Sequence, residues 1–404
     1  MTLEGWIYPK SYGEGDAGLI FYSDTCAMRL SGFTDHQLDF WCGFSPTGVW
    51  HSPVNSISTN VWQHVAVSYD ASNTTNVPTF YINGIKQTLS TVQSPVGSLS
   101  TTAVTWVIGN RTNQANTFDG YIDDFKVYDY VRTPAQIAYD YNRGWPIAWY
   151  QFDECQGTAA YNAAIAGSGA ALGNNGTITP GDSSGNNDSA GTCNSGAANP
   201  TNEMWNAGTT GKYNASLSFD GTNDYVNVGD PSDGSLDFGT GDFSISTWVN
   251  VPSGNGVVVS KGSNAGEPPG SGSGYYLYVA SDRTIKAEVS SYDANSKWHD
   301  VQTTQAIPAS TWTHLAFTKT TSVVNIYING ILQPVTTSAD PIAQITSVSN
   351  TASFRVGSYT PLSLYATGQI DDVRAYNYAL TAGQILKVYN ESAGVRFGPN
   401  VGSP

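Results

Sequence analysis

The segment FYINGIKQ at residues 80–87 returns as IYINGILQ at residues 326–333, and this duplicated stretch decides the fold. In both copies an Asn-Gly pair is flanked on each side by residues in which apolar side chains recur at alternate positions. A two-residue hairpin loop needs positive φ at both central positions, so Asn-Gly is the strongest short hairpin signal. The two segments therefore predict hairpin tips at Asn83 and Asn329.

Further blocks recur in the same order on both sides of these hairpins. GYIDDFKVYDYVRTPAQI at 120–137 matches GQIDDVRAYNYALTAGQI at 368–385, and the WxH motif around His64 matches the one around His314. Self-similarity in a fixed order is the signature of a repeated domain. The chain therefore contains two copies of one structural unit.

The first copy lacks the N-terminal segments that the second copy has. LEGWIYP, from Leu3, matches ISTWVNVP around Trp248 in the second copy. The second copy, however, has two earlier strand-like segments, IAWYQFDE at 147–154 and SLSFDGTNDYVNVGD at 216–230. Without such strands a sandwich exposes unpaired backbone edges. We therefore expect either a fragment of a longer polypeptide or a gap that another chain fills.

Many short strands, with a turn signal every ten or so residues, predict an all-β chain of two tandem antiparallel β-sandwich domains. We assign residues 1–144 to a first domain without its N-terminal strands, 145–396 to a complete second domain, and 397–404 to a tail or linker. A duplicated capping box, beginning at Thr133 and Thr381, predicts one short helix in each domain.

Charge and composition exclude several classes of function. The 404 residues carry 32 acidic and 17 basic side chains, a formal charge of −15, without the clustered Lys and Arg that bind nucleic acid. No run approaches the ~18 apolar residues of a membrane span, and the first twenty residues do not resemble a signal peptide. We expect a soluble, secreted or cell-surface protein whose export signal lies upstream or has been removed.

The four cysteines form two local pairs along the chain. Pairing Cys26 with Cys42 and Cys155 with Cys193 keeps each disulfide within one domain, and no CxxC spacing offers a zinc or redox site. Disulfides indicate an oxidising compartment. Free buried thiols in a cytosolic protein are the alternative.

The sequence offers no evident catalytic machinery, and we expect no enzymatic activity. A glycosidase needs two carboxylates about 5 to 10 Å apart, and none of the seven Glu has an acidic neighbour two or four residues away in an alternating strand. His64 and His314 lie in apolar strands without a nucleophile motif, so we interpret them as structural. An enzymatic function would require a pair of carboxylates that is assembled from distant strands, and this alternative stays open.

A second Trp-His pair recurs ahead of the WxH motif and suggests a binding surface. Exposed aromatic rings stack on sugars, and polar neighbours bind the hydroxyl groups. The alternative is that one residue of each pair packs in the sandwich while the other faces water. The predicted ligand-binding residues are Trp298, His299, Asp293, Asn295, Asp300, Trp50 and His51.

As a set, WYQFDE, SLSFDGTNDYVNV, FSISTWVNV, WTHLAF, IYINGILQ, RVGS and GQIDDVRAYNYALTAGQI resemble the laminin-G-like, concanavalin A-like jelly-roll superfamily, which includes the pentraxins. The resemblance covers almost the whole chain. It implies a sandwich of two curved antiparallel sheets that recognises glycans or proteins, often with a structural calcium at the rim, and it does not imply catalysis.

The resemblance also points to calcium ligands. Matching positions of SFDGTND and GxIDD are Asp220, Asn223 and Asp372, with Asp124 in the incomplete copy. The loop GDSSGNNDS resembles a family loop whose oxygen donors, Asp182, Asn186 and Asp188, suit a hard cation. An ordinary polar loop is the alternative.

Together these features predict an extracellular or cell-surface module that binds glycan or protein, is stabilised by calcium, and belongs to a larger adhesin-like protein. The alternative is a structural spacer or filament subunit, in which an upstream segment or a neighbouring chain completes the first domain.

Overall fold

The computed structural model describes residues 1–16, 18–31, 35–99, 105–165, 172–181, 189–193, 203–205, 211–254, 256–262, 273–291, 297–359 and 364–391. The chain divides into two compact units, Met1–Gly144 (unit 1) and Trp145–Pro404 (unit 2). Both units consist mainly of antiparallel strands, and the predicted all-β class is confirmed. The described residues include no helix with the length and apolarity that crossing a membrane requires.

Unit 1 contains two sheets. Its strands are β1 (Thr2–Pro9), β2 (Leu19–Tyr22), β3 (Cys26–Ser31), β4 (Gln37–Cys42), β5 (Gly48–His51), β6 (Gln63–Ser68), β7 (Thr79–Ile82), β8 (Ile85–Lys86), β9 (Ser90–Gln93), β10 (Val107–Ile108) and β11 (Gly120–Tyr128). The first sheet has the order β11-β1-β6-β7-β8 and the second the order β10-β2-β3-β4-β5-β9. A short 3-10 turn (Glu14–Asp16) and helix α1 (Pro134–Tyr141) complete the unit.

Unit 2 repeats this plan and adds strands. It comprises β12 (Ala148–Tyr150), β13 (Ala159–Ala160), β14 (Gly176–Thr179), β15 (Leu217–Asp220), β16 (Tyr225–Gly229), β17 (Phe243–Asn250), β18 (Gly256–Gly262), β19 (Gly274–Val279), β20 (Thr284–Ser291), β21 (Lys297–Ala306), β22 (Thr313–Lys319), β23 (Val324–Ile328), β24 (Ile331–Leu332), β25 (Val335–Ala339), β26 (Phe354–Val356), β27 (Thr367–Tyr376), a 3-10 turn (Ile342–Gln344) and helix α2 (Ala382–Asn390).

The sheets of unit 2 contain the same core orders as those of unit 1. One sheet runs β12-β27-β17-β22-β23-β24, with β15 also paired to β27, and the other runs β13-β14-β16-β26-β18-β19-β20-β21-β25. The strands β12 to β16 have no counterpart among the described residues of unit 1. Unit 2 therefore has five more strands than the described part of unit 1.

The core of each unit lies between its two sheets. In unit 1, Leu3 and Val65 of the first sheet share one buried cluster with Phe40 and Trp50 of the second. In unit 2, a larger cluster includes Tyr150 and Phe219 from the added strands. Side chains on a strand alternate between faces, so the second sheet of each unit also has a face that points away from its core. We call this the outer face.

The local signals of the sequence form the expected elements. Asn83 and Asn329 have φ values of 51° and 50° at their hairpin tips. Both capping boxes are present, with Thr133 and Thr381 each accepting a hydrogen bond from the third residue of its helix. The structure also contains both expected disulfides, Cys26–Cys42 and Cys155–Cys193.

Candidate functional site

A polar cluster lies on the outer face of unit 2, where β19, β20 and β21 run side by side. Glu288 of β20 pairs directly with Tyr276 of β19 on one side and with Asp300 of β21 on the other. Their sequence neighbours Val289 and Val301 point into the core. A directly opposite pair has Cβ atoms about 5 Å apart, so the sheet brings two carboxyl groups together.

The cluster is buried and internally bonded. The hydroxyl of Tyr276 donates a hydrogen bond of 2.6 Å to Oε2 of Glu288, and Nζ of Lys286 lies 2.5 Å from Oδ2 of Asp300. Burial is the main reason that the pKa of Glu288 rises to about 7, while the Tyr276 hydrogen bond and the charge of Lys286 oppose that rise. The cluster therefore holds a carboxyl group that titrates near neutral pH.

Trp298 lies on the same face, two residues before Asp300, and 39% of it is exposed. Asp340 fixes its backbone, because the N–H of Trp298 donates to Oδ2 of Asp340 and the N–H of Asp340 donates to the carbonyl of Trp298. The neighbouring positions across the sheet are the small residues Ser290 and Gly274. Trp298 is thus an exposed aromatic ring on a rigid backbone.

The structure places only part of the predicted ligand-binding set on this face. His299 points to the opposite side of the sheet, is buried, and has Nδ1 2.7 Å from the carbonyl oxygen of Asp340. The expectation that His299 shares a surface with Trp298 is therefore wrong. Asp293 and Asn295 lie outside the described residues.

The prediction that Trp50 contacts a ligand is also wrong. Trp50 is completely buried and packs against Phe40 and Tyr69 in the core of unit 1. Its neighbour His51 lies on the outer face, where Nε2 is 3.4 Å from Oδ1 of the buried Asp39. Arg29 reaches the other carboxylate oxygen of Asp39 at 3.3 Å.

The two Trp-His pairs differ in register by one residue. Trp50 pairs with the core residue Phe40, whereas Trp298 pairs with Ser290 and it is His299 that lies opposite the core residue Val289. A shift of one residue moves every side chain of a strand to the other face. The identical dipeptides therefore present opposite residues to solvent.

The predicted calcium ligands Asp220 and Asp372 do not form one site. Asp220 pairs with Thr367, and Asp372 follows five residues later on β27, about 15 Å along the strand. Two ligands of one calcium ion lie within about 5 Å of each other, given metal–oxygen distances near 2.4 Å. Asp220 and Asp372 therefore lie too far apart to share one ion, and calcium binding at Asp220, Asn223 or Asp372 stays a prediction.

Asp372 and Asp124 instead make protein contacts at the same place in each unit. Oδ2 of Asp372 lies 3.0 Å from Arg374, and its other carboxylate oxygen accepts a hydrogen bond from Nε1 of Trp149. The carboxylate of Asp124 lies 2.9 Å from Lys126. The described residues contain no group of three His, Cys, Asp or Glu side chains arranged around a metal. Asp182, Asn186 and Asp188 lie outside them.

His64 and His314 occupy equivalent aromatic clusters. The ring of His314 lies 5.3 Å from Trp248 and 5.9 Å from Tyr389 of α2, and His64 has the same arrangement with Trp6 and Tyr141 of α1. Burial lowers the pKa of both imidazoles to about 3. Each histidine is neutral at physiological pH and packs its helix against the first sheet.

A family model for the concanavalin A-like lectin/glucanases superfamily matches residues 1–138 and 220–386, more than half of the chain. The chain belongs to this superfamily. The adhesion G-protein coupled receptor V1 of Danio rerio is 26% identical to this chain over 156 residues, 37% of the chain. The matched part spans 2% of the receptor's length.

Solved structures show further likenesses to this superfamily member. Domain 4 of an extracellular arabinanase from Geobacillus stearothermophilus, in complex with arabinotriose, is 21% identical over 61% of this chain and 98% of that domain, with a TM-score of 0.36. A heptameric pentraxin from Limulus polyphemus is 15% identical over 38% of this chain and 71% of that one, with a TM-score of 0.29. The binding domain of botulinum neurotoxin serotype D is 14% identical over 61% and 50%, with a TM-score of 0.39.

The pairing of Glu288 with Asp300 is not evident from acidic residues within one strand of this superfamily member. These two residues lie on consecutive strands at equal distances from residue 294. Residues placed symmetrically about a hairpin centre face each other across the pair of strands. That symmetry is the signal that could have identified them.

Proposed function

We propose that this protein is a non-catalytic module that binds glycans through the outer face of unit 2. The exposed ring of Trp298 on its fixed backbone carries the proposal. Such a ring can stack on a sugar, while Lys286, which alternates onto the same face of the sheet, offers a charged donor for hydroxyl or carboxylate groups of the glycan. A protein ligand is the alternative occupant of the same face.

We infer an extracellular or cell-surface location, as part of a larger adhesin-like protein. The two disulfides support the location because stable disulfides belong to oxidising compartments. The similarity to an adhesion receptor of Danio rerio supports the setting within a larger protein. The low charge content and the excess of acidic over basic residues fit the same environment.

We do not propose glycoside hydrolysis, although the sheet brings Glu288 and Asp300 together. The two residues are only 2% and 5% exposed, so a substrate on the outer face does not contact their carboxyl groups. Their oxygens are already bonded to Tyr276 and Lys286. The pair therefore serves as the base of the binding face.

Calcium stays a prediction for the loop that contains Asp182, Asn186 and Asp188. Asp220 and Asn223 lie at the turn between β15 and β16, and the amide of Asn223 occupies the space that a side chain at Gly181 would need. Asp372 is not part of this proposal. Calcium bound there would stabilise the turn between β15 and β16.

A glycan array with the full chain, run with calcium and again with a chelator, tests the proposal. Trp298→Ala should abolish binding while leaving the thermal unfolding temperature within about 2 °C, because substitution of an exposed residue costs little stability. Trp145→Ala is the matched control, since Trp145 is exposed to a similar extent in the same unit.

Each outcome of the array has a defined meaning. Binding lost in Trp298→Ala and retained in Trp145→Ala supports the outer face as the glycan site. Binding that persists in Trp298→Ala overturns that assignment, and loss of binding with chelator alone moves the site to the acidic loop. A chain that binds no glycan, with or without calcium, contradicts the glycan proposal.

A further inference from the structure

Each unit has a buried carboxyl group at the centre of its outer face. Asp39 of β4 pairs directly with residues of β3 and β5, as Glu288 of β20 pairs with residues of β19 and β21. The two residues are 1% and 2% exposed. Because β3, β4 and β5 have the places of β19, β20 and β21 in the sheet order, Asp39 and Glu288 mark the same point of the two repeats.

Each outer face carries a tryptophan in the same row, next to this point. Trp41 lies two residues after Asp39 and pairs with Val49 of β5. In unit 2 the corresponding pair is Ser290 and Trp298. The ring therefore belongs to β4 in unit 1 and to the following strand, β21, in unit 2. Neighbouring strands lie about 5 Å apart, so the two rings occupy adjacent positions on equivalent faces.

The surroundings of Trp41 hold it in place. Strand β4 is paired on both sides, and the Cys26–Cys42 disulfide joins it to β3 one residue away from Trp41. The ring packs edge-on against Tyr22, with centroids 6.1 Å apart, and the hydroxyl of Tyr22 donates a hydrogen bond of 3.0 Å to Asp24. Trp41 is partly exposed. It therefore offers accessible aromatic surface on a fixed backbone.

Two basic side chains lie beside this ring in unit 1. Nε of Arg29 is 3.3 Å from one carboxylate oxygen of Asp39, and Nε2 of His51 is 3.4 Å from the other. The side chains of Arg29 and His51 are 35% and 22% exposed, whereas that of Asp39 is 1% exposed. In a chain of formal charge −15, this part of the outer face thus presents basic groups to solvent above a buried acid.

Unit 2 has a similar combination on the face that carries Trp298. Nζ of Lys286, a side chain 27% exposed, lies 2.5 Å from Asp300, whose side chain is 8% exposed. On both outer faces a buried carboxylate therefore anchors an exposed basic side chain. The guanidinium of Arg29 has five N–H donors, and the hydrogen bond to Asp39 uses the one at Nε. Its planar fork of donors matches a carboxylate group of a ligand.

We propose that the outer face of unit 1 is a second binding site, formed by Trp41, Arg29 and His51, and that both outer faces recognise glycans that carry carboxylate groups. The tryptophan stacks on a sugar ring, and the basic side chains bind the carboxylate of that sugar or of the next one. Charge complementarity favours such an acidic glycan over a neutral one. This inference rests on the proposed glycan binding by unit 2 and extends it to a chain with two sites.

Two sites on one chain change how the chain binds a polymer or a coated surface. Once one site is engaged, the second binding event is intramolecular, and the avidity can exceed the affinity of either site by a factor of about 100 to 10,000. A washed array therefore retains chains that both units hold. Trp41→Ala should lose the array signal as Trp298→Ala does, whereas a small soluble ligand reports each site separately.

Equilibrium dialysis of the full chain against labelled trigalacturonate, a trisaccharide with a carboxylate on each sugar, counts the sites. We expect two sites on the parent chain, one on Trp41→Ala, one on Trp298→Ala and none on the double variant. The methyl ester of the same trisaccharide lacks the charges and should bind more than tenfold more weakly.

Matched variants separate binding from folding in unit 1. Trp62, which is partly exposed and contacts Tyr8 beside the first sheet, is the control, and Trp62→Ala should keep both sites. Arg29→Lys keeps a positive charge opposite Asp39 but loses the planar fork. It should weaken the unit 1 site even if Trp41→Ala lowers the unfolding temperature of the chain.

The possible outcomes distinguish this proposal from the proposed function. Two sites that persist in Trp41→Ala, or a single site on the parent chain that Trp298→Ala removes, overturn the site in unit 1 and leave the proposed function intact. Equal binding of trigalacturonate and its methyl ester, or no binding of either, overturns the carboxylate class. A single site that Trp41→Ala removes and Trp298→Ala keeps supports the site in unit 1 and contradicts the proposed function.

Discussion

Glu288 shows how burial alters a carboxyl group on the outer face. Its pKa of about 7 lies above the ordinary value of 4.5, so the folded chain keeps a proton there that the unfolded chain loses between about pH 4.5 and pH 7. Stability falls with rising pH wherever the unfolded state binds fewer protons. Glu288 therefore destabilises the fold progressively as the pH rises through this range.

Glu288→Gln should remove this contribution, because the amide resembles the protonated carboxyl group and still accepts from Tyr276. We expect the parent chain to lose about 3 kcal/mol of unfolding free energy relative to the variant between pH 4.5 and pH 7, with no further change above pH 8. Urea unfolding at a series of pH values measures the difference. Glu14→Gln, at an exposed position, is the control. If the unfolding free energies of the parent and of Glu288→Gln change in parallel with pH, Glu288 is not a buried, protonated carboxyl group.

The hairpin tip at Asn329 combines backbone and side-chain effects within one element. Asn329 has a φ of 50°, and its Oδ1 accepts a hydrogen bond of 2.9 Å from the backbone N–H of buried His314. Positive φ costs an ordinary residue about 1 kcal/mol, and the lost hydrogen bond costs about 1 kcal/mol more.

Asn329→Ala should therefore destabilise unit 2 by about 2 kcal/mol. Asn329→Gly should cost about half as much, because glycine accepts positive φ and loses only the hydrogen bond. Urea unfolding midpoints of the two variants separate the contributions, and the same substitutions at Asn83 repeat the experiment in unit 1. Equal losses for Ala and Gly would show that the backbone conformation contributes nothing.

Elements with a local cause were predictable from the sequence. The hairpins at Asn83 and Asn329 and the capping boxes at Thr133 and Thr381 depend on residues within four positions of each other, and all four are confirmed. The difference in strand number between the two units was predictable because one copy served as a template for the other.

The outer face was only partly predictable because register depends on how strands pair. Trp50 and Trp298 have the same neighbour in the sequence, yet one is core and the other surface. The cluster of Glu288 and Asp300 likewise forms only when β20 and β21 pair in one particular register. Contacts between strands, rather than local propensity, decide such positions.

The two units form a natural comparison between an open and a closed sandwich. Among the residues that the structure describes, strand β11 has a partner on one side only, whereas β27 has partners on both. Backbone N–H groups without a hydrogen-bond partner exchange with solvent much faster than those in a ladder.

Hydrogen exchange followed by mass spectrometry should therefore show faster exchange for residues 120–128 than for residues 368–376. Comparable protection of both strands would mean that the edge of β11 is covered in solution.

The register difference between the two Trp-His pairs has a consequence for how repeated domains diverge. Insertion or deletion of one residue in the turn before such a strand exchanges its inner and outer faces while leaving the dipeptide itself intact. A duplicated gene segment could thereby gain a solvent-facing tryptophan without any substitution at the tryptophan codon. Divergence in this family can thus begin with loop length, and a search for new recognition surfaces among its members should compare strand pairing before it compares motifs.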